Sequence, residues 1–310
     1  MHRLKSFKPK ISIKEGTIYF LIALPFLAYI LMFNYFTLFG WSYAFVNFRP
    51  AFGWQPWNHE FVGFKWFETL WSMRGDLGRV MYNTLSLSFI SLALSPLPVL
   101  LAILFMEIRS RKLKRITQTI TTFPNFISWV IVYGIAFAFF SNFGVIANIG
   151  VALGLERQQV SLIADPDYAW TMYITIGIWK SIGWSAIIYC AAISGIDESL
   201  YEAAKIDGAN KIKQILYITI PGVKETFLVL LLLSFAGLLG SNFDYIFLFH
   251  NPMTTERLMT LSFWIYRMGI IKAEYSLSIA SSIVMQLIGL ILLFSMNWIA
   301  KIMRDGRSIV

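Results

Sequence analysis

The sequence predicts an all-α, polytopic membrane protein with six transmembrane helices, and three observations carry that prediction. Apolar residues make up 57% of the 310 positions and charged ones only 14%, whereas a soluble domain runs near a quarter charged. The apolar residues gather into six stretches of the length that a hydrocarbon core of about 30 Å demands, about 20 residues each. Lys and Arg are shared unevenly between alternate connections. The mean hydropathy of +0.63 points the same way.

The first stretch, about 17–40 (TIYFLIALPFLAYILMFNYFTLFG), is too long for the apolar part of a signal peptide. No small-residue cleavage site follows it, so it reads as a retained helix. The second runs about 82–106 and contains LSLSFISLALSPLPVLLAILF; the third, about 119–140, holds FPNFISWVIVYGIAFAFF. The fourth covers about 169–192, the fifth about 226–249 and the sixth about 277–299. Of the 26 Lys and Arg, 17 fall in the N-terminus, the second-to-third and fourth-to-fifth connections and the C-terminus. Eight fall in the other three connections, and Lys180 lies inside the fourth span. The basic side faces the cytoplasm, which puts both termini there. The net charge of +9 is accounted for by topology, with the lipid bilayer as partner and no nucleic acid.

The chain divides into three parts. Residues 1–81 form a tail, the first span and an outer loop (41–81) carrying Trp41, Trp54, Trp57, Trp66 and Trp71. Residues 82–300 form a core of five spans, and 301–310 a cytoplasmic tail. Catalysis finds no support. The single Cys190 allows neither an intrachain disulfide nor a thiolate cluster, and His2, His59 and His250 are too scattered for a metal site. The phosphate-binding pattern G-x-x-x-x-G-K followed by Ser or Thr is absent, so ATP and Mg are not expected to bind here. No span pairs a nucleophile with a His, or two carboxylates with each other.

The most informative connection is cytoplasmic and spans 197–221, DESLYEAAKIDGANKIKQILYITIP. Leu200, Ala203 and Ala204, then Ile212, Ile215 and Leu216, recur at helical spacing. Asp197 and Glu198 suit a helix start, Gly208 a left-handed helix end, Asn210 a second cap, and Pro221 is expected to bound the second helix. Two short helices meeting at Asp207-Gly208 are predicted; on physics alone they are equally a surface hairpin resting on headgroups. The segment resembles the EAA loop of binding-protein-dependent ABC importer permeases, and IWKSIGWSAIIYCAAISGIDESL resembles their sugar branch, especially permeases for oligosaccharides and polysaccharide fragments. FVGFKWFETLW (61–71), Asn83-Thr84 and Asn242-Phe243-Asp244 extend the resemblance over roughly residues 60–300.

The resemblance implies an ABC importer permease fold with cytoplasmic EAA coupling helices in a prokaryotic inner (plasma) membrane. It implies that Glu202, Ala203, Ala204, Asp207 and Gly208 meet a cytosolic ATPase. It further implies a second homologous permease, two ATPase subunits that bind ATP and Mg, and an extracytoplasmic solute-binding protein. A permease of the same family for a smaller sugar or a glycerol-phosphate-type solute is the alternative, with an ion-coupled carrier further off.

Ionisable groups inside spans cost at least ~2.5–3.5 kcal/mol, so they are expected to face a partner or a wet cavity. Lys180 lies about 16 Å into the fourth span by helical rise, and Asp244 is read in the fifth. Together with Asn242, Gln286 and Asn125 they are candidates for a polar solute path, with Trp179, Tyr245 and Trp264 as rings that could stack on sugars. Equally, Lys180 can snorkel, Asp244 can satisfy a neighbouring helix, and single aromatics can be packing or an interface belt.

Overall fold

The computed structural model describes residues 13–154, 161–237, 239–240 and 243–303. Among the described residues the structure is helical, with one isolated bridge between Val46 and Phe61. Six segments among them are long and apolar enough to cross a membrane: Gly16–Phe45, Arg74–Glu107, Trp129–Ala152, Ala169–Ser194, Lys211–Phe235 and Tyr275–Ser295. The chain packs as two units, one of residues 1–69 with 268–283, the other of 70–267 with 284–310.

In the first unit, α1 (Ile13–Ile30) passes into a π turn and a 3-10 stretch ending at Phe45. None of the most apolar window of this span is buried, so lipid-like surroundings are what its composition suits. The aromatic loop after it has a small core of its own. Phe48 packs between Tyr43, Trp54, His59 and Tyr275. Ser276 ties the loop down: its hydroxyl donates to Val46 O (2.8 Å) and accepts from Phe48 N (3.0 Å). Helix α2 (Lys65–Ser72) closes it, with Trp66 Nε1 donating to Val46 O at 3.0 Å.

The second unit holds the elements that matter for function. Helix α3 (Arg74–Ala93) and α4 (Leu97–Glu107) make one interrupted span, broken at 94–96, where Pro96 lacks the donor a continuous helix needs. Helix α5 (Arg111–Thr122) is capped by Ser110, and a 3-10 turn (Phe123–Phe126) leads to α6 (Trp129–Phe140) and α7 (Val145–Ala152). Helix α8 (Ala169–Ser194) is the central post. The connection is α9 (Glu198–Ile206) and α10 (Lys211–Gln214), followed by a π turn (Ile215–Thr219) and α11 (Ile220–Ala236). Short helices α12 (Phe243–Phe249), α13 (Thr255–Leu258) and α14 (Leu261–Tyr266) precede α15 (Tyr275–Met303).

The core lies where α4, α8 and α11 meet: Val99, Ala102, Ile103 and Phe105 pack on Ala186, Tyr189, Cys190 and Val223. Ala102 and Ala186 are fully buried, and small side chains there let the helices approach. Gly183 carries this further, because α5 crosses α8 with the Thr121 peptide where a side chain would stand. On the opposite side Asn83 donates to Glu256 O (2.7 Å) and Met259 O (3.2 Å), while Thr84 accepts from Leu261 N (2.8 Å). The Asn83-Thr84 pair therefore fixes the α13–α14 segment against α3.

The first span ends at Phe45 and the second begins at Arg74, both inside the outer loop read as 41–81, and two other spans differ further from the sequence reading. The third begins at Trp129 rather than about 119, because Pro124 ends α5 and Ser128 caps a new helix, its hydroxyl accepting from Ile131 N at 3.4 Å. The fifth runs Lys211–Phe235 rather than about 226–249. Pro221 does not bound the second loop helix: the π turn just before it widens the backbone, and the helix continues through the proline.

Candidate functional site

Two places in the second unit carry polar groups in unusual settings: the α9–α10 elbow and a cavity beside α8. The elbow starts at Asp197, whose carboxylate accepts from Ser199 N at 2.9 Å. That backbone hydrogen bond, reinforced by the Ser199 side chain, holds the Asp197 carboxyl below its ordinary range. Helix α9 ends as the sequence pattern expects. Gly208 adopts φ +74°, and the Ala209 N–H returns to Ala204 O at 2.8 Å. Asn210 then caps α10 through Lys213 N at 2.9 Å.

Two ties hold the elbow to the elements beside it, and a third braces its bend. Tyr201 OH meets Thr219 Oγ1 at 2.9 Å, Lys211 pairs with Glu107 at the end of α4 at 3.0 Å, and Gln214 Nε2 donates to Ala209 O at 3.0 Å. The opposite surface is open. Glu202, Ala203, Asp207 and Gly208 are exposed, Ala204 is half-buried, and Ile206 is 86% exposed, an apolar side chain held out with no cover. A methyl on Gly208 would meet nothing within 4 Å, so within this chain the glycine is required by its positive φ and not by crowding.

The cavity, about 650 Å³, lies between the interrupted α3–α4 span, the 3-10 turn before α6, α8 and α11. Both helix interruptions reach it, through Ser95 on one side and Asn125 and Trp129 on the other. Helix α8 gives it Tyr173, Lys180, Ser181 and Ser185. Lys180 is buried, and its ammonium donates to Pro124 O (3.1 Å), Asn125 O (3.0 Å) and Ile127 O (2.6 Å) while standing 5.2 Å from the centre of the Trp129 ring. The Ser91, Ser181 and Ser234 hydroxyls donate to carbonyls one turn back, at 2.8, 2.8 and 2.9 Å, leaving lone pairs to accept from a polyhydroxyl solute.

The structure brings only part of the sequence-derived path set together. Lys180 and Asn125 line the cavity. Trp179, beside Lys180, is not among the lining residues and is 42% exposed. Tyr245 is buried, stacked on Phe249 at 4.1 Å and set edge-on to Tyr173 and Trp129, so it backs the wall and is not itself presented. Trp264 is likewise buried. Asp244 is exposed on α12, outside the fifth span, and Gln286 is exposed on α15. Asn242 lies outside the described residues. Sequence reasoning missed Tyr173, Ser181, Ser185 and Trp129. A signal was there: Tyr173, Gly177 and Ser181 recur every fourth residue along an otherwise apolar span, which is one stripe of a helix.

Comparison with known proteins fits this geometry. The model of the family described as "Binding-protein-dependent transport system inner membrane component" matches residues 94–305. Protein LplB of Bacillus subtilis (strain 168) is 35% identical over 94% of this chain and 90% of its own. The polygalacturonan/rhamnogalacturonan transport system permease protein YteP of the same organism is 34% identical over 91% and 87%. Among solved structures, a chain of a bacterial alginate ABC transporter, crystallised with an alginate pentasaccharide-bound periplasmic protein, superposes with a TM-score of 0.85. It is 33% identical over 96% of this chain and 98% of that one. With its six apolar helices, its capped elbow and a family match over most of its length, the chain belongs to the inner membrane components of binding-protein-dependent transport systems.

Proposed function

We propose that this chain is a permease subunit of an ATP-driven importer for oligosaccharides. The observation that carries the reading is the α9–α10 elbow, an ordered projection tied to the ends of α4 and α11 yet open on its far face. A force applied there reaches two spans directly, and the uncovered Ile206 and the exposed Glu202, which makes no ion pair among the described residues, suit a protein partner. That partner is a cytosolic ATPase, which binds ATP and Mg; Glu202, Ala203, Ala204, Asp207 and Gly208 form the contact. The complex contains a second permease, two ATPase subunits and an extracytoplasmic binding protein that delivers the sugar. The relatives named for polygalacturonan, rhamnogalacturonan and alginate support an oligosaccharide as cargo, and the hydroxyl-lined cavity suits it. Both termini face the cytoplasm, in agreement with the basic connections.

The test is substrate-stimulated ATP hydrolysis by the reconstituted complex beside pull-down of the ATPase. Gly208→Val forces a β-branched residue into φ +74°, a strain of roughly 1–3 kcal/mol, and Glu202→Lys reverses an exposed interface charge. Both variants should insert normally yet lose stimulation. Full stimulation and full pull-down in both would defeat the coupling role. For orientation, a reporter after Val310 should be cytoplasmic and one near Gln158 outside; the same side for both defeats the six-span topology.

A further inference from the structure

Lys180 is the one charged side chain in the cavity wall among the described residues, and the obvious expectation is that it grips the solute. The geometry points elsewhere. An ammonium has three N–H donors, and three backbone carbonyls already take them, at 3.1, 3.0 and 2.6 Å. All three carbonyls belong to one short segment, Pro124 to Ile127, where α5 has stopped and α6 has not begun. Within the turn Ile127 N reaches Pro124 O at 3.2 Å; the break frees further carbonyls where a membrane interior offers little water, and irregular backbone survives there only when something else satisfies it. Among the described residues Lys180 makes no ion pair, so the carbonyl dipoles and the Trp129 ring face are what solvate its charge.

We propose that Lys180 is a positioning residue: its ammonium ties off the turn that leads from α5 into the third span and so sets where Asn125 and Trp129 stand in the cavity wall, without donating to the solute itself. The proposal rests on the reading that this cavity is part of the solute path. It also explains why one face of α8 specifies the segment at two successive turns. Gly183, one turn on from Lys180, lets the Thr121 peptide touch the helix, while Lys180 holds three carbonyls between Pro124 and Ile127.

The experiment measures oligosaccharide uptake by the reconstituted importer, using a neutral and a uronate-bearing pentasaccharide as probes, with Lys180→Met, Lys180→Arg, Asn125→Ala and the Lys180→Met/Asn125→Ala pair. Lys180→Met should raise the KM about tenfold for whichever probe is carried, with the maximal rate within about threefold. Lys180→Arg, whose guanidinium also offers several donors, should return most of the affinity. The double variant should be no worse than Lys180→Met, because Asn125 is already misplaced. Additive losses, or a loss confined to the uronate-bearing probe, would mean that Lys180 contacts solute and would overturn the proposal. If Lys180→Met fails to insert, Lys180→Gln, with two donors, should show a smaller KM rise; wild-type behaviour in that variant overturns the proposal equally. The underlying path reading is checked apart, by Ser181→Trp, which fills the cavity. If uptake survives that change the path reading falls, and Lys180 is then judged on the labelling rate of Asn125→Cys in a Cys190→Ser background, which Lys180→Met should shift at least about fivefold if the amine holds this segment.

Discussion

Gly183→Ala tests the close crossing of α5 and α8. A methyl built on Gly183 would lie 2.0 Å from the Thr121 carbonyl oxygen, 2.3 Å from its carbon and 2.7 Å from Thr122 N. All three are backbone atoms, so no rotamer change relieves the clash. Ordinary contact begins at 3.4 Å, so the helices must part by about 1.4 Å. Overpacking of this kind costs roughly 1–3 kcal/mol. Because α5 runs straight into the segment held by Lys180, the same displacement would stretch hydrogen bonds of 2.6–3.1 Å well past the usual limit. The assay is thermal unfolding of the purified complex in parallel with uptake. Gly183→Ala should lower the midpoint by several degrees and raise the KM. Gly177→Ala, on the same helix with nothing within 4 Å, should be neutral or stabilising by up to about 1 kcal/mol, since Ala is the better helix former. Equal, unperturbed behaviour of the two variants would refute the argument that backbone contact at Gly183 sets the crossing.

Two further outcomes follow from named contacts. Asn83→Leu removes both donors that hold Glu256 O and Met259 O; it should cost roughly 1–3 kcal/mol and speed protease cleavage at 250–260, and an unchanged cleavage pattern would count against the clamp. Asp197 has a folded pKa held below its ordinary 3.8 by the Ser199 N–H. Its contribution to the elbow is thus complete above about pH 4 and fades as pH falls through the depressed value, so ATPase stimulation should be insensitive to Asp197→Asn in its pH profile from 7 to 5 and differ only in acid.

The helices were legible to the extent that their cause was local. Gly208 and Asn210 end and restart the elbow through their own backbone preferences, and both behave as the sequence indicates. The spans were legible as apolar mass, but not their interruptions. Pro96 and Pro124 break helices, whereas Pro221 does not, and the difference lies in a π turn that no pattern of apolar residues encodes. The same limit explains the site. Lys180 was visible as a buried charge, yet its partners are carbonyls, which every residue has, so the sequence gives no hint of them. Asp244 was misplaced because an apolar run continuing to Phe249 hides the end of the fifth span at Phe235.

The two interruptions explain each other's location. A helix break in a bilayer leaves backbone groups that lipid cannot satisfy, so breaks are confined to places where protein or water can. Here the break at 94–96 and the break at 123–128 both border one cavity, and α8 runs past both. The polar residues of α8 are therefore needed twice: Lys180 satisfies carbonyls of the turn before the third span, and Ser181 and Ser185 face the space that the breaks open. A helix running unbroken from α5 into α6 would need no lysine and would close the gap with side chains. Lys180, Gly183 and Pro124 thus form one device, and replacing any one of them by a residue suited to an uninterrupted apolar helix should reshape the same cavity wall.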